Sequence, residues 1–153
     1  MDVYENLRKL ALEIPAAPSK GGAYVPVKTV GDLLFVSGQG PIRDGKLQYV
    51  GKVGGERTLE EGREAARLCM LNLLAQVEDH LGDLNKVKNV VKVLGFVSSV
   101  SDFNSQPKVI DAGSELLVDV FGDRGVHTRS AVGTNALPND ITVEIEAILE
   151  IEG

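Results

Sequence analysis

The sequence predicts an α+β fold of two layers, with helices packed on one face of a mixed β-sheet. Three observations predict it. Two segments of 15 residues or more carry apolar side chains at helical spacing, and at least four others are rich in Val, Ile and Leu and bounded by turn residues. The strands and helices alternate along the chain without a linker, repeat or low-complexity stretch between them. Several strands are apolar on both faces, so the sheet face opposite the helices also needs a cover, and self-association is the simplest one. A chain of 153 residues, 43% hydrophobic and 25% charged, is long enough to bury an ordinary core as one domain over 1–153.

Asp2 to Ile14 reads as a short amphipathic helix, with Tyr4, Leu7, Leu10, Ala11 and Ile14 on one side and Pro15 as its stop. It forms an N-terminal helical extension over 1–17. Tyr24–Thr29 and Leu33–Ser37 read as two strands of a hairpin turning at Gly31-Asp32. Leu47–Val53 is expected as a weak edge strand. Thr58-Leu59-Glu60-Glu61 is a capping box that opens a long helix, whose apolar stripe runs through Ala66, Cys69, Leu73 and Val77 and which Gly82 ends. Val87–Ser98 is a Val-rich central strand. A second helix is expected from about Pro107 to Phe121, with Pro107 in its first turn. Ser130–Ala136 and Ile141–Ile151 are the last strands, with a turn at Leu137-Pro138-Asn139-Asp140. In the final strand Val143, Ile145, Ala147 and Leu149 share one face, which leaves Glu144 and Glu146 together on the other.

Composition narrows the function. The formal net charge is −6 and Lys and Arg form no stripe, which argues against a nucleic-acid partner. The single cysteine, Cys69, excludes an intrachain disulfide and suits a reducing, cytoplasmic compartment. Its place in an apolar helical stripe points to packing rather than nucleophilic work. The first residues lack a basic, apolar leader, and no apolar run is long enough to span a membrane. His80 and His127 lack any metal-ligand spacing, so no metal is expected. Gly51-Lys52-Val53-Gly54-Gly55 lacks the spacing of a phosphate loop, and Ser37 stands in no nucleophile elbow.

Arg129, at the start of a strand, offers a planar fork suited to a carboxylate, or else an ion pair with one of the 22 acidic residues. His127, two residues before it, either lines the same site or simply occupies a loop. Glu144 and Glu146, taken alone, are either a solvated face or catalytic carboxylates.

Four segments together carry a resemblance. Gly22-Ala23-Tyr24-Val25, Leu34-Phe35-Val36-Ser37-Gly38-Gln39-Gly40-Pro41, Arg129-Ser130-Ala131-Val132 and Val143-Glu144-Ile145-Glu146-Ala147 stand in the order and spacing of the Rid/YjgF family, and Asp102-Phe103 before the second helix fits as well. The resemblance covers about residues 18–151. It implies a chorismate-mutase-like α+β fold, assembled as a homotrimer whose sheets form a central barrel with helices outside and sites between subunits. It implies hydrolysis of reactive enamines and imines, such as 2-aminoacrylate, to 2-keto acids and ammonia, without a cofactor. By the same resemblance Arg129 would grip the substrate carboxylate, Glu144 would hold the attacking water, and Tyr24 would close the pocket. Ser37, Gly38 and Ala131 would shape the cleft. Pro107 stands where archetypal members usually carry an Asn, which marks this chain as a distinct branch. Two other functions fit the same scaffold: a trimer that binds a keto acid or other small carboxylate without chemistry, and the endoribonuclease activity for which family members are often named.

Overall fold

The computed structural model describes residues 1–153. Helix α1 (Val3–Lys9) starts where the Asp2 carboxylate accepts from the Tyr4 N–H at 3.0 Å. It ends earlier than its apolar spacing suggests, because Ala11 takes a left-handed conformation, φ +55°, before Pro15 is reached. Strands β1 (Val27–Val30) and β2 (Leu33–Gln39) form the expected hairpin, with Val30 opposite Leu33 across Gly31-Asp32. Tyr24 and Val25 do not join β1; they lie in the preceding loop, which β2 holds through Ser37.

The expected edge strand at Leu47–Val53 does not form. A two-residue hairpin takes its place, β3 (Ile42–Arg43) with β4 (Lys46–Leu47), followed by isolated bridges at Val50 and Val53. Gly51 at φ +99° and Gly54 at φ +89° interrupt the extended run on both sides of Lys52.

Helix α2 (Leu59–Leu81) has both arms of the capping box, Glu61 N–H to Thr58 Oγ1 at 3.1 Å and Thr58 N–H to Glu61 Oε1 at 3.0 Å. Gly82 closes it at φ +80°. Strand β5 (Val87–Ser98), helix α3 (Gln106–Phe121) and strand β6 (Thr128–Thr134) make a strand–helix–strand unit whose strands are parallel. Strand β7 (Val143–Ile151) then inserts between β2 and β5, antiparallel to both. The sheet order is β1-β2-β7-β5-β6.

One face of the sheet buries Leu34, Val36, Val93, Val97, Ile145 and Leu149 against α2 and α3. Ile110 of α3 sits so close to Gly95 of β5 that an added Cβ would lie 2.5 Å from its Cδ1. That spacing sets the depth of α3 on the sheet. The opposite face has no helix. There Phe35 lies opposite Ile148, and Phe96 lies between Glu144 and Val132. Leu33, Phe35 and Val132 remain 36%, 42% and 42% exposed, an apolar surface of the kind that partners cover. No helix is long and apolar enough to cross a membrane.

Candidate functional site

Two regions gather the residues that could do chemistry. The first lies where β2 bulges away from β7, between Val36 and Gln39. The bulge brings Gly38 against Glu144, beside a cavity of about 430 Å³. Tyr24, Ser37, Gly38, Asn139 and Glu144 line it, and Lys20 is its one cationic side chain. Glu144 comes so near Gly38 that a Cβ there would stand 2.8 Å from the carboxyl carbon. Only the absence of a side chain at position 38 leaves room for this carboxylate. Burial raises the Glu144 carboxyl above its ordinary value, and the like charge of Glu146 adds to the rise.

The cavity wall is tied down by hydrogen bonds. The Ser37 hydroxyl donates to the Val25 carbonyl at 2.8 Å, and Gly21 N–H donates to the Tyr24 hydroxyl at 3.2 Å. Two buried polar residues of α2 do more. The Asn72 amide donates to the carbonyls of Gly40 and Ile42, each at 2.8 Å, and the Gln76 amide donates to the Pro18 carbonyl at 2.7 Å. They anchor both banks of the cavity to the core. Neither was marked by motif, yet two amides four residues apart inside an apolar stripe are themselves a signal, since buried polar groups are placed where they find partners.

The second region is on β6 and α3. The Arg129 Nη1 donates to Asp111 Oδ1 at 2.6 Å and to Ser114 Oγ at 3.2 Å. His127 Nε2 meets the same Ser114 hydroxyl at 2.9 Å, and its Nδ1 faces the Gly125 carbonyl at 2.6 Å. A shallow concavity of about 380 Å³ opens beside Arg129, His127 and Ser114. Of the two readings of Arg129, the chain by itself displays the ion pair. Ala131 is half-buried on the same side of β6, and Pro107 is exposed in the first turn of α3. Neither lines the Glu144 cavity.

The two regions do not meet within one chain. Arg129 points toward α3, whereas Glu144 points away from the helices, and β5 lies between their strands. Arg129 pairs with Val93, which pairs with Ala147, three residues from Glu144. Two inter-strand spacings and three residues separate their backbones by on the order of 14 Å.

A further concavity, of about 650 Å³, lies at the C-terminal ends of β5 and β6. Its only charged side chain, Lys52, is bonded to the Asn135 carbonyl. Cys69 is fully buried with its thiol donating to the Val143 carbonyl at 3.4 Å, and burial pushes the thiol well up. It packs, as its helical position suggested. No three His, Cys, Asp or Glu side chains converge as metal ligands.

Residues 5–146 match the family model described as "YjgF/chorismate mutase-like, putative endoribonuclease". The chain belongs to that family. It is 40% identical over 150 residues to Protein TCP17 of Trypanosoma cruzi, covering 97% of this chain and 94% of that one. It is 30% identical over 146 residues to the 2-iminobutanoate/2-iminopropanoate deaminase of Dermatophagoides farinae, covering 94% and 98%. Among solved structures, the protein Atu1372 of Agrobacterium tumefaciens, of unknown function, superimposes with a TM-score of 0.92 at 42% identity, over 98% of this chain and 92% of that one. Escherichia coli TdcF with bound serine superimposes with a TM-score of 0.64 at 25% identity, over 90% and 94%. The fold is therefore the YjgF/chorismate-mutase-like α+β fold that the four segments implied. Named deaminases stand among the YjgF relatives of this chain.

Proposed function

We propose that this protein hydrolyses reactive enamines and imines of the 2-aminoacrylate type to 2-keto acids and ammonia. One observation carries the proposal: Glu144 is a half-buried carboxylate with raised proton affinity, set in a cavity beside the Tyr24 and Ser37 hydroxyls. Such a group can take a proton from water and return it. The relationship to a 2-iminobutanoate/2-iminopropanoate deaminase supports the same chemistry.

In this mechanism the enamine first takes a proton from solvent on its β-carbon and becomes the iminium, the protonated imine. Glu144 orients a water molecule and accepts one of its protons as the oxygen attacks the C=N carbon. The C–O bond forms while the C=N π pair moves to nitrogen. The protonated Glu144 returns that proton to nitrogen, and its carboxylate then takes the hydroxyl proton as the C–N bond breaks, so that ammonia leaves and the carbonyl forms. Water supplies every atom that is gained, and no oxidant or cofactor takes part. The hydrolysis is intrinsically easy, so positioning suffices. Tyr24 closes the pocket, and Ser37 and Gly38 shape it.

Arg129 faces the substrate's carboxyl end from a second copy of the chain, with Ala131 and Pro107 beside it. The opposed directions of Arg129 and Glu144 favour this arrangement, as does the apolar helix-free face around Phe35 and Val132. A homotrimer with its sheets turned inward would cover that face.

The test is release of ammonia and keto acid from freshly generated 2-aminoacrylate and 2-aminocrotonate. Wild type should turn over both, and Arg129→Ala and Glu144→Ala should each be inactive while keeping the trimeric mass by light scattering. Co-refolding the two inactive variants should restore part of the activity, because mixed trimers contain some sites with both residues intact. No recovery would sink the shared site. No turnover by wild type would leave a keto-acid-binding trimer, and RNA cleavage that survives Arg129→Ala and repurification would favour the nuclease.

A further inference from the structure

The Arg129 guanidinium is not a free cation. Its Nη1 is bound by Asp111 at 2.6 Å and by Ser114, whereas Nε and Nη2 make no hydrogen bond within the chain. Asp111 lies on α3 one turn beyond Pro107, directly across from Arg129 on β6. The next acid on that helix, Glu115, is engaged elsewhere, by Arg63 at 3.2 Å. Arg129 thus has one acidic partner, and the pair is electrically neutral. Its open Nε–Nη2 edge still has the shape to bind two acceptor oxygens, but any anion placed there also meets the negative charge of Asp111 across the same guanidinium.

We propose that Asp111 is a specificity-determining residue, which lowers the affinity of Arg129 for a substrate carboxylate and opens the site to imines ending in an uncharged carbonyl, such as an amide. The proposal rests on the deaminase reading and deepens it by naming the substrate class. A donor fork without net charge still hydrogen-bonds a neutral carbonyl, whose affinity does not depend on neutralising a charge. A carboxylate gains stronger, charge-assisted hydrogen bonds but loses part of that advantage to repulsion by Asp111. Wild type should therefore discriminate only weakly between an amide-ended imine and the matching carboxylate.

Asp111→Asn keeps the shape and removes the charge. The experiment compares 2-iminopropanoate with 2-iminopropanamide, each generated in situ, for wild type, Asp111→Asn and Glu115→Gln. Asp111→Asn should raise kcat/KM for the carboxylate by roughly tenfold or more, through KM, because a like charge near the binding edge is gone. The amide should be little changed, and Glu115→Gln should leave the ratio of the two substrates as in wild type. If Asp111 merely orients Arg129, Asp111→Asn will weaken the carboxylate substrate instead, and that result overturns the proposal. A wild type that strongly prefers the carboxylate also overturns it. If no protein hydrolyses either imine, calorimetric binding of pyruvate and pyruvamide decides. A gain for pyruvate alone in Asp111→Asn keeps the charge assignment while the deaminase reading falls, and no gain removes both.

Discussion

Gly38→Ala is a one-atom perturbation with a calculable consequence. The new Cβ would stand 2.8 Å from the Glu144 carboxyl carbon and from Oε2, and 2.9 Å from Cγ, well inside van der Waals contact. Gly38 itself is not in a left-handed conformation, so the backbone accepts alanine, and the three nearest atoms a Cβ would meet all belong to Glu144. Overpacking of this kind costs about 1–3 kcal/mol. Glu144 is half-buried and can yield partly toward the cavity, which places the expected cost at about 1–2 kcal/mol. For a chain of this size that lowers Tm by about 3–6 °C. In a Glu144→Ala background all three crowded atoms are gone. There Gly38→Ala should be neutral or stabilise by about 0.4–1 kcal/mol, because alanine restricts the unfolded chain. The four proteins form a double-mutant cycle, read by urea denaturation, with an expected coupling of about 1–3 kcal/mol. An equal cost for Gly38→Ala in both backgrounds would refute the argument that Glu144 is what demands glycine at position 38.

Three other perturbations follow from the same geometry. Glu144→Gln should abolish imine turnover and raise stability at neutral pH. Burial and Glu146 hold the folded Glu144 value above its unfolded one, so wild type is favoured below the unfolded carboxylate range and loses that stability as pH rises through the folded value. The gain from Gln should therefore fade as denaturation is repeated toward about pH 4, and a pH-independent gain would contradict the assignment. Tyr4→Phe removes a hydroxyl that donates to Glu78 at 2.9 Å and accepts from Leu84 N–H at 2.9 Å. It should cost about 1–3 kcal/mol in urea titration and leave turnover unchanged, because it acts only on the docking of α1. Asn72→Ala orphans the Gly40 and Ile42 carbonyls at the cavity wall and should lower both stability, by about 1–3 kcal/mol, and kcat. A variant that keeps full kcat would mean the cavity does not depend on that anchor.

The elements with long periodic patterns were legible in the sequence because local rules govern them. The capping box at Thr58, the stop at Gly82, the Gly31-Asp32 turn and the alternation that separates Glu144 from Val143 and Ile145 all depend on near neighbours. The family, and with it the fold, followed from four short segments in register. What local rules could not supply was decided by tertiary structure. Leu47–Val53 has strand-like composition, but Gly51 and Gly54 divert the backbone, and nothing in hydropathy reveals φ. The Tyr24-Val25 segment is held in a loop, not a strand, by the Ser37 hydroxyl, which bonds the Val25 carbonyl from twelve residues away. β7, last in the chain, pairs at the centre of the sheet, so the faces assigned to Glu144 and Arg129 acquire a relation only once β5 stands between them. Composition lists 22 acids that could pair with Arg129; the packing of α3 on Gly95 chooses Asp111. Periodicity acts over a few residues and can be read from the chain, whereas the partner of a charge is set by contacts far apart in sequence, which exist only in the folded molecule.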